Sequence, residues 1–437
     1  MHFTIPRDVR QIIDRLRSGG YEAYAVGGCV RDTLLGRVPN DWDITTSALP
    51  MQVKALFKRT VDTGLKHGTV TVMLNGTGYE VTTYRIDGEY NDCRHPDSVT
   101  FTSKLSEDLR RRDFTINAFV YNDEEGVIDL FGGLDDLKNG IIRCVGVPNE
   151  RFTEDALRIL RAIRFAAQLS FKIEPDTADA ARLLAPNLVK VSAERIHVEL
   201  EKLLLSPNPD YIVKLKELNL APYIFPELEE CSFEKLNSLA SALKFSSDSK
   251  FVRWALLTAG VSVSKENTGK TAEEIMRRMK SDNFTTDYIV KFVNLRDYDL
   301  NNASDYTLRK LLNLLGPKDF TLYINFRKAL LYQDTGNRYS NTGTDIVSSS
   351  EYLDEIASRL AGIIERNECT EAKQLKINGR ILIANGFSQG KGLGFIIESL
   401  LDRVLADQSL NDTDTLLAIA RELAPTDTIH SLPGTHS

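Results

Sequence analysis

A chain of 437 residues, 42% apolar and 26% charged, has material for two to four packed domains and sizeable cores. No apolar run approaches the roughly 18 residues a membrane-spanning helix needs, and the N-terminus lacks the apolar segment of a secretory signal, so no membrane partner and a cytoplasmic setting are expected. A net charge of −7 gives no overall pull on nucleic acid, so any RNA contact requires basic residues gathered on one face. The cysteines, Cys29, Cys93, Cys144, Cys231 and Cys369, are scattered without a C-x-x-C pair, which argues against a zinc ribbon and for free thiols.

Val9, Ile12, Ile13 and Leu16 recur at helical spacing, and Ser18-Gly19-Gly20 closes that helix. Tyr24-Ala25-Val26 then reads as a strand end running into Gly27-Gly28. A short helix follows, with Val30, Leu34 and Leu35 on one side and Arg31 and Asp32 available to a cleft. Asp41-Trp42-Asp43-Ile44 reads as a second strand. Alternate strand residues share a face, so Asp41 and Asp43 project together while Trp42 and Ile44 turn to a core. Two adjacent carboxylates repel unless a cation lies between them, and a hard ion such as Mg²⁺ suits oxygen ligands. A Gly-rich turn that admits phosphate to the backbone, followed by Asp-x-Asp, points to metal-assisted phosphoryl transfer. Either feature alone is weak; their ordered combination carries the reading.

Residues 51–59 predict a further helix. Thr69–Leu74 and Tyr79–Tyr84 alternate on either side of Asn75-Gly76, a strong hairpin signal. Glu80 shares a strand face with Thr82 and Tyr84 and is a possible third acid, although a surface glutamate fits the pattern equally well. The segment from Ile86 to Thr100 is too polar for a core and reads as a mobile loop. In Arg111-Arg112-Asp113-Phe114-Thr115-Ile116-Asn117-Ala118, Arg112 is a candidate for a triphosphate because a guanidinium forks onto phosphate oxygens. Asp113 and Asn117 would serve a ribose hydroxyl or orient that arginine.

From Glu154 onward helical periodicity dominates. Helices are expected at 153–168, 175–185, 192–205 with Ser192 as cap, 210–218, 250–260 and 271–281. Asn337–Ser350 looks like a junction, SQGKGLG at Ser388–Gly394 interrupts the last helical segment, and 425–437 is expected to be disordered. In the first of these helices Asp155, Arg158 and Arg161 fall at i, i+3 and i+6 and drift around one face, with Leu157, Leu160 and Ile163 on the buried side. A carboxylate and a guanidinium so placed make a donor–acceptor edge. Cytosine presents an amino donor to Asp155 and N3 and O2 acceptors to Arg158; adenine presents N6 and N1. Guanine and uracil would set a carbonyl against the carboxylate, and an unpaired buried acceptor is costly. Arg161 and Arg164 would lie near the phosphates or stiffen the edge.

GGCVRDTLLG followed by DWDITT, RRDFTINA and EDALRILRAIRF together resemble the nucleotidyltransferase superfamily, and within it the bacterial class II CCA tRNA nucleotidyltransferases, across residues 1 to about 205. The resemblance implies an α+β protein: an N-terminal nucleotidyltransferase α/β head (1–150), then an all-α neck (151–206), body (207–345) and tail (346–424), the tail binding tRNA. It implies that Asp41 and Asp43 are catalytic and bind Mg²⁺, that Gly28 and Arg31 contact nucleotide phosphates, and that Arg112 helps hold the nucleotide. Asp155 and Arg158 would read the base, supported by Arg161 and Arg164. The implied substrates are CTP, ATP and the tRNA 3′ end. GLKHGTV stands where bacterial poly(A) polymerases usually carry an Arg/Lys-rich stretch, and the Ile86–Thr100 loop has the length expected of an A-adding enzyme. An A-only enzyme, partnered with a separate CC-adding one, has the same motifs and stays open.

Overall fold

A computed structural model describes residues 1–88, 99–262, 267–334 and 343–423. The polar loop expected at 86–100 lies largely outside these residues, as does the expected disordered C-terminus. The chain divides into two compact units, Met1–Lys244 with Glu274–Asp282, and Phe245–Glu273 with the chain from Asn283 onward.

The first unit opens with helix α1 (Arg7–Ser18), which buries Val9, Ile12, Ile13 and Leu16 along one stripe. Strand β1 (Ala23–Val26), helix α2 (Gly28–Leu34), strand β2 (Asp43–Thr46) and helix α3 (Pro50–Leu56) follow. Then come β3 (Thr60–Gly64), β4 (Thr69–Leu74), β5 (Thr77–Thr83), β6 (Arg85–Asp87) and β7 (Val99–Phe101). Helix α4 (Leu105–Arg110), β8 (Phe119–Asn122), β9 (Gly126–Asp129) and α5 (Gly133–Asn139) complete the head. Seven strands form one mixed sheet in the order β3-β4-β5-β2-β1-β8-β9. Only β2 and β5 pair in parallel within it. Asn75 and Gly76 both take positive φ, 51° and 86°, so β4 turns directly into β5 with Leu74 opposite Thr77. Strands β6 and β7 form a separate antiparallel ribbon.

Beyond the sheet, β10 (Ile141–Ile142) pairs with β11 (Lys172–Ile173), on either side of α6 (Pro148–Glu154) and α7 (Leu157–Leu169). Helices α8 (Pro175–Leu184) and α9 (Ala193–Leu204) follow. The continuous helix expected over 153–168 is broken at Asp155, whose backbone is extended (φ −139°, ψ 102°). Its carboxylate accepts from the Leu157 N–H at 3.1 Å and so starts α7 afresh, a local bond that competes with helix continuation. Asp155 therefore does not share a helix face with Arg158 and Arg161.

The second unit is all helical among its described residues. Trp254, Phe292, Tyr323 and Phe326 are wholly buried in its first part. Its last part has its own core of residues such as Leu382, Ile396, Leu400, Val404 and Leu416. Two expectations need correction. Gly343–Ser350 begins a helix running to Glu365, and Gly392 and Gly394 lie inside the helix Lys391–Ala406, so the Gly-rich interruption ends at Gly390 (φ 154°). Cys29, Cys144, Cys231 and Cys369 are buried free thiols; Cys93 lies outside the described residues.

Candidate active site

Strand β1 ends and β2 begins at one place, with Val26 paired to Asp43. Gly27 turns the chain at once (φ 82°, ψ −130°), so β1 offers no rung beyond Val26. On that side β2 has no partner before Asp43. Asp41 and Trp42 precede the strand instead of forming its first residues, and Trp42 is only half-buried where a core residue was expected. Ile44 is fully buried, as expected.

The parallel register of β2 and β5 sets Ile44 beside Val81 and Thr45 beside Thr82, which brings Glu80 level with Asp43 on the same face. Asp43 is exposed by surface area, yet the crowding around its carboxyl pushes it up to about 6. Lost hydration is the main cause, then the Asp41 carboxylate, with Arg112 pulling the other way and Glu80 adding to the rise. Such mutual repulsion is relieved by a cation. Among the described residues no three His, Cys, Asp or Glu side chains gather as a ready-made metal cage. The donor set instead suits a hard ion that keeps water and substrate oxygens, held by one or two carboxylates.

Arg112 faces this corner. Its side chain is 20% exposed, and Nη2 lies 3.8 Å from Asp108 Oδ2. A Cβ built on Gly27 would sit 2.9 Å from Arg112 Nη1, so the guanidinium is packed onto the glycine turn. Its Nε is buried without a hydrogen-bond partner, an orphaned donor on the arginine that packs on the turn. Gly28 is less crowded: the nearest atom to its would-be Cβ is Arg31 Nη2, at 3.7 Å.

Arg31 is buried, donating to Asn117 Oδ1 at 2.5 Å and to Asp32 Oδ1 at 2.8 and 2.9 Å. Asn117 thus orients Arg31 and not Arg112, and its amide also donates to Asp113 at 3.0 Å. Asp113 is engaged by protein partners. It accepts from Arg161 Nη2 at 2.6 Å and Nε at 2.8 Å. Burial opposes its ionisation, but the Arg161 charge and the Asn117 and Arg161 hydrogen bonds hold its carboxyl well below the usual carboxylate range. Arg164 donates to Glu199 at 2.5 Å, and the guanidiniums of Arg31, Arg161 and Arg164 lie 5.0, 5.3 and 3.7 Å from the centre of the Phe165 ring.

Asp155 and Arg158 are near in sequence but differently engaged. Asp155 accepts from Arg195 Nη2 at 2.8 Å. Arg158, buried, reaches Glu154 at 2.6 Å and the carbonyls of Arg151 and Arg111 at 3.0 and 2.8 Å. The side chains required for a base-reading edge are present, each drawn onto protein partners.

Sequence reasoning missed Asp108, Thr45, Glu199, Phe165 and Arg195. Asp108 stands three and four residues before Arg111 and Arg112, so helical acid–arginine spacing offered a signal there; Arg195 stands four before Glu199 but pairs with Asp155 instead. Nothing in the sequence distinguished Thr45 or Phe165 from ordinary core residues.

Residues 23–143 match the Poly A polymerase head domain, and residues 170–232 match the family described as the probable RNA and SrmB-binding site of polymerase A. The first match spans the mixed sheet of the head and, with the relatives that follow, it marks the chain as a nucleotidyltransferase. The CCA-adding enzyme of Leuconostoc mesenteroides subsp. mesenteroides is 38% identical over 418 residues, spanning 95% of this chain and 96% of that one. The CCA-adding enzyme of Ligilactobacillus salivarius is 37% identical over 419 residues, spanning 94% and 95%. The crystal structure of the Bacillus stearothermophilus CCA-adding enzyme in complex with CTP matches with a TM-score of 0.75 at 30% identity, covering 96% of this chain and 98% of that one. The chain belongs to the CCA-adding enzymes, a family that usually works with a divalent metal. Among the described residues no helix is long and apolar enough to cross a membrane.

Proposed function

We propose that this chain adds the 3′-terminal CCA to tRNA, using CTP twice and ATP once, without a nucleic-acid template and with release of pyrophosphate at each step. The observation that carries the reading is the convergence of Asp41 and Asp43 with the Gly27 turn and the orphaned Arg112 Nε. A triphosphate placed there satisfies Arg112 and brings its phosphorus beside the carboxylates. The tRNA 3′-hydroxyl then attacks the α-phosphorus, and the bond to the pyrophosphate oxygen breaks.

Asp41 and Asp43 would hold the divalent ion, for which Mg²⁺ is our assignment; Glu80, the possible third acid, adds negative charge from the neighbouring strand. Bound, the metal would acidify the attacking hydroxyl and neutralise the departing pyrophosphate. Gly28 leaves room for close phosphate approach, and Arg112 and Arg31 supply positive charge. Asp155 and Arg158 read the base after exchanging their protein partners for it, with Arg161 and Arg164 fixed by Asp113 and Glu199 to stiffen that wall. The corresponding organisation is a catalytic head over 1–150, a base-reading neck over 151–206, a helical body over 207–345 and a tRNA-binding tail over 346–424. Such a substrate places the protein in the cytoplasm.

The test is primer extension on a tRNA ending at its discriminator base, with CTP and ATP. Three added nucleotides are expected. Extension only of a tRNA already ending in CC would establish the A-only reaction instead. Asp41→Ala should abolish transfer and leave tRNA binding near wild type; unchanged transfer would remove Asp41 from the metal site.

A further inference from the structure

We infer that Asp108 is a positioning residue that keeps Arg112 turned to the nucleotide and away from the metal-binding carboxylates. The inference rests on the nucleotidyl-transfer reading and adds to it a residue that touches neither substrate nor metal.

Asp108 has no exposed surface, and a buried carboxylate is costly unless its partners are well placed. Oδ1 accepts from Arg111 Nη2 at 2.8 Å and Nε at 3.0 Å, and more distantly from the Arg85 N–H at 3.4 Å. Oδ2 accepts from Thr45 Oγ1 at 3.0 Å and faces Arg112 Nη2 at 3.8 Å. Thr45 is two residues along β2 from Asp43, on the same face of the strand. One carboxylate therefore ties the strand carrying Asp43 to the arginine that faces it.

The charges continue outward in alternation. Arg111 lies 3.7 Å from Asp87 Oδ2, and Asp87 Oδ1 accepts from Arg85 Nε at 3.0 Å. Asp87 and Arg85 belong to the β6–β7 ribbon, so the row runs Arg85, Asp87, Arg111, Asp108, Arg112 and ends at Asp43. Arg112 feels three carboxylates, Asp108 most strongly, then Asp43, then Asp113, and Asp113 is already taken up by Arg161. While Asp108 holds Nη2, Nη1 stays packed on Gly27 and Nε stays free. Without the Asp108 charge, the strongest remaining pull on the guanidinium is that of Asp43. The guanidinium would then neutralise a residue that must bind a cation, and it would leave the phosphate position.

The test compares the full-length protein with its Asp108→Asn variant by direct binding: Mn²⁺ by electron paramagnetic resonance, and CTP by calorimetry in EDTA. Asp108→Asn should weaken both by about tenfold, with the CTP KM for extension rising in parallel. A purely structural role would lower the melting temperature while the folded variant bound Mn²⁺ and CTP like the wild type, and that result overturns the inference. Should Asp108→Asn fail to fold, Asp87→Asn, one link further out, should shift both affinities in the same direction by a smaller factor; no shift there refutes it. A wild-type protein that binds Mn²⁺ and CTP but extends no tRNA would defeat the proposed function and leave this comparison intact.

Discussion

Replacing Gly27 and Gly28 separately by alanine should divide the fold's demands from those of the ligand. Gly27 sits at φ 82°, ψ −130°, where an L side chain is strained. Holding alanine there costs about 1–3 kcal/mol. The new methyl would also stand 2.9 Å from Arg112 Nη1, too close to stay, and the flexible guanidinium is the group that yields. Losing one charge-assisted phosphate contact is worth about 1.5–3 kcal/mol, or roughly 10- to 150-fold in CTP affinity. Gly28 has a helical φ, and its would-be Cβ meets nothing closer than 3.7 Å. Gly28→Ala should therefore melt within about a degree of wild type while still obstructing phosphate approach. Thermal unfolding should show a loss of roughly 2–10 °C for Gly27→Ala, and calorimetry should show weaker CTP binding by both variants. A Gly27→Ala protein with wild-type melting and CTP affinity would refute the steric reasoning, and unimpaired CTP binding by Gly28→Ala would remove the backbone from the phosphate site.

Asp113 has a folded pKa below its unfolded one, so its stabilisation is complete above about pH 4 and fades as pH falls through the folded value. Asp113→Asn should cost about 3 kcal/mol at pH 7, and urea midpoints should show the gap from wild type closing below pH 4; a gap independent of pH would contradict the assignment. Phe165→Leu removes the ring that three guanidiniums surround and should cost about 2–3 kcal/mol in urea unfolding, against about 1 kcal/mol from packing alone if those contacts are incidental. Asp155→Ala should let UTP or GTP compete about 10- to 100-fold better in single-nucleotide extension, because no carboxylate then faces their carbonyls. Unchanged discrimination would place base reading elsewhere.

Much of this was written locally. The α1 stripe, the Asn75-Gly76 hairpin and the change from mixed sheet to helices at Glu154 depend on periodicity and turn residues, which act over a few positions. The motifs that carry Gly27-Gly28, Asp41 and Asp43, Arg112 and Asp155–Arg158 were each legible because each is short and keeps its own spacing; their grouping into one site is our proposal. Register and partnership were not. Whether Asp41 belongs to β2 depends on how far β1 extends, and β1 stops because Gly27 turns away beneath Arg112, a residue 85 positions later in the chain.

The break at Asp155 shows the same limit: helical periodicity ran through it, and a side-chain bond to Leu157 overrode it. The sequence by itself determined which chemical groups are present and which local elements carry them. Only the tertiary structure decided that Asp113 serves Arg161, that Asn117 serves Arg31 and that Asp108 stands behind Arg112. A buried charge takes as partner whichever opposite charge the packed fold brings within a few ångströms, and sequence distance places no constraint on that choice.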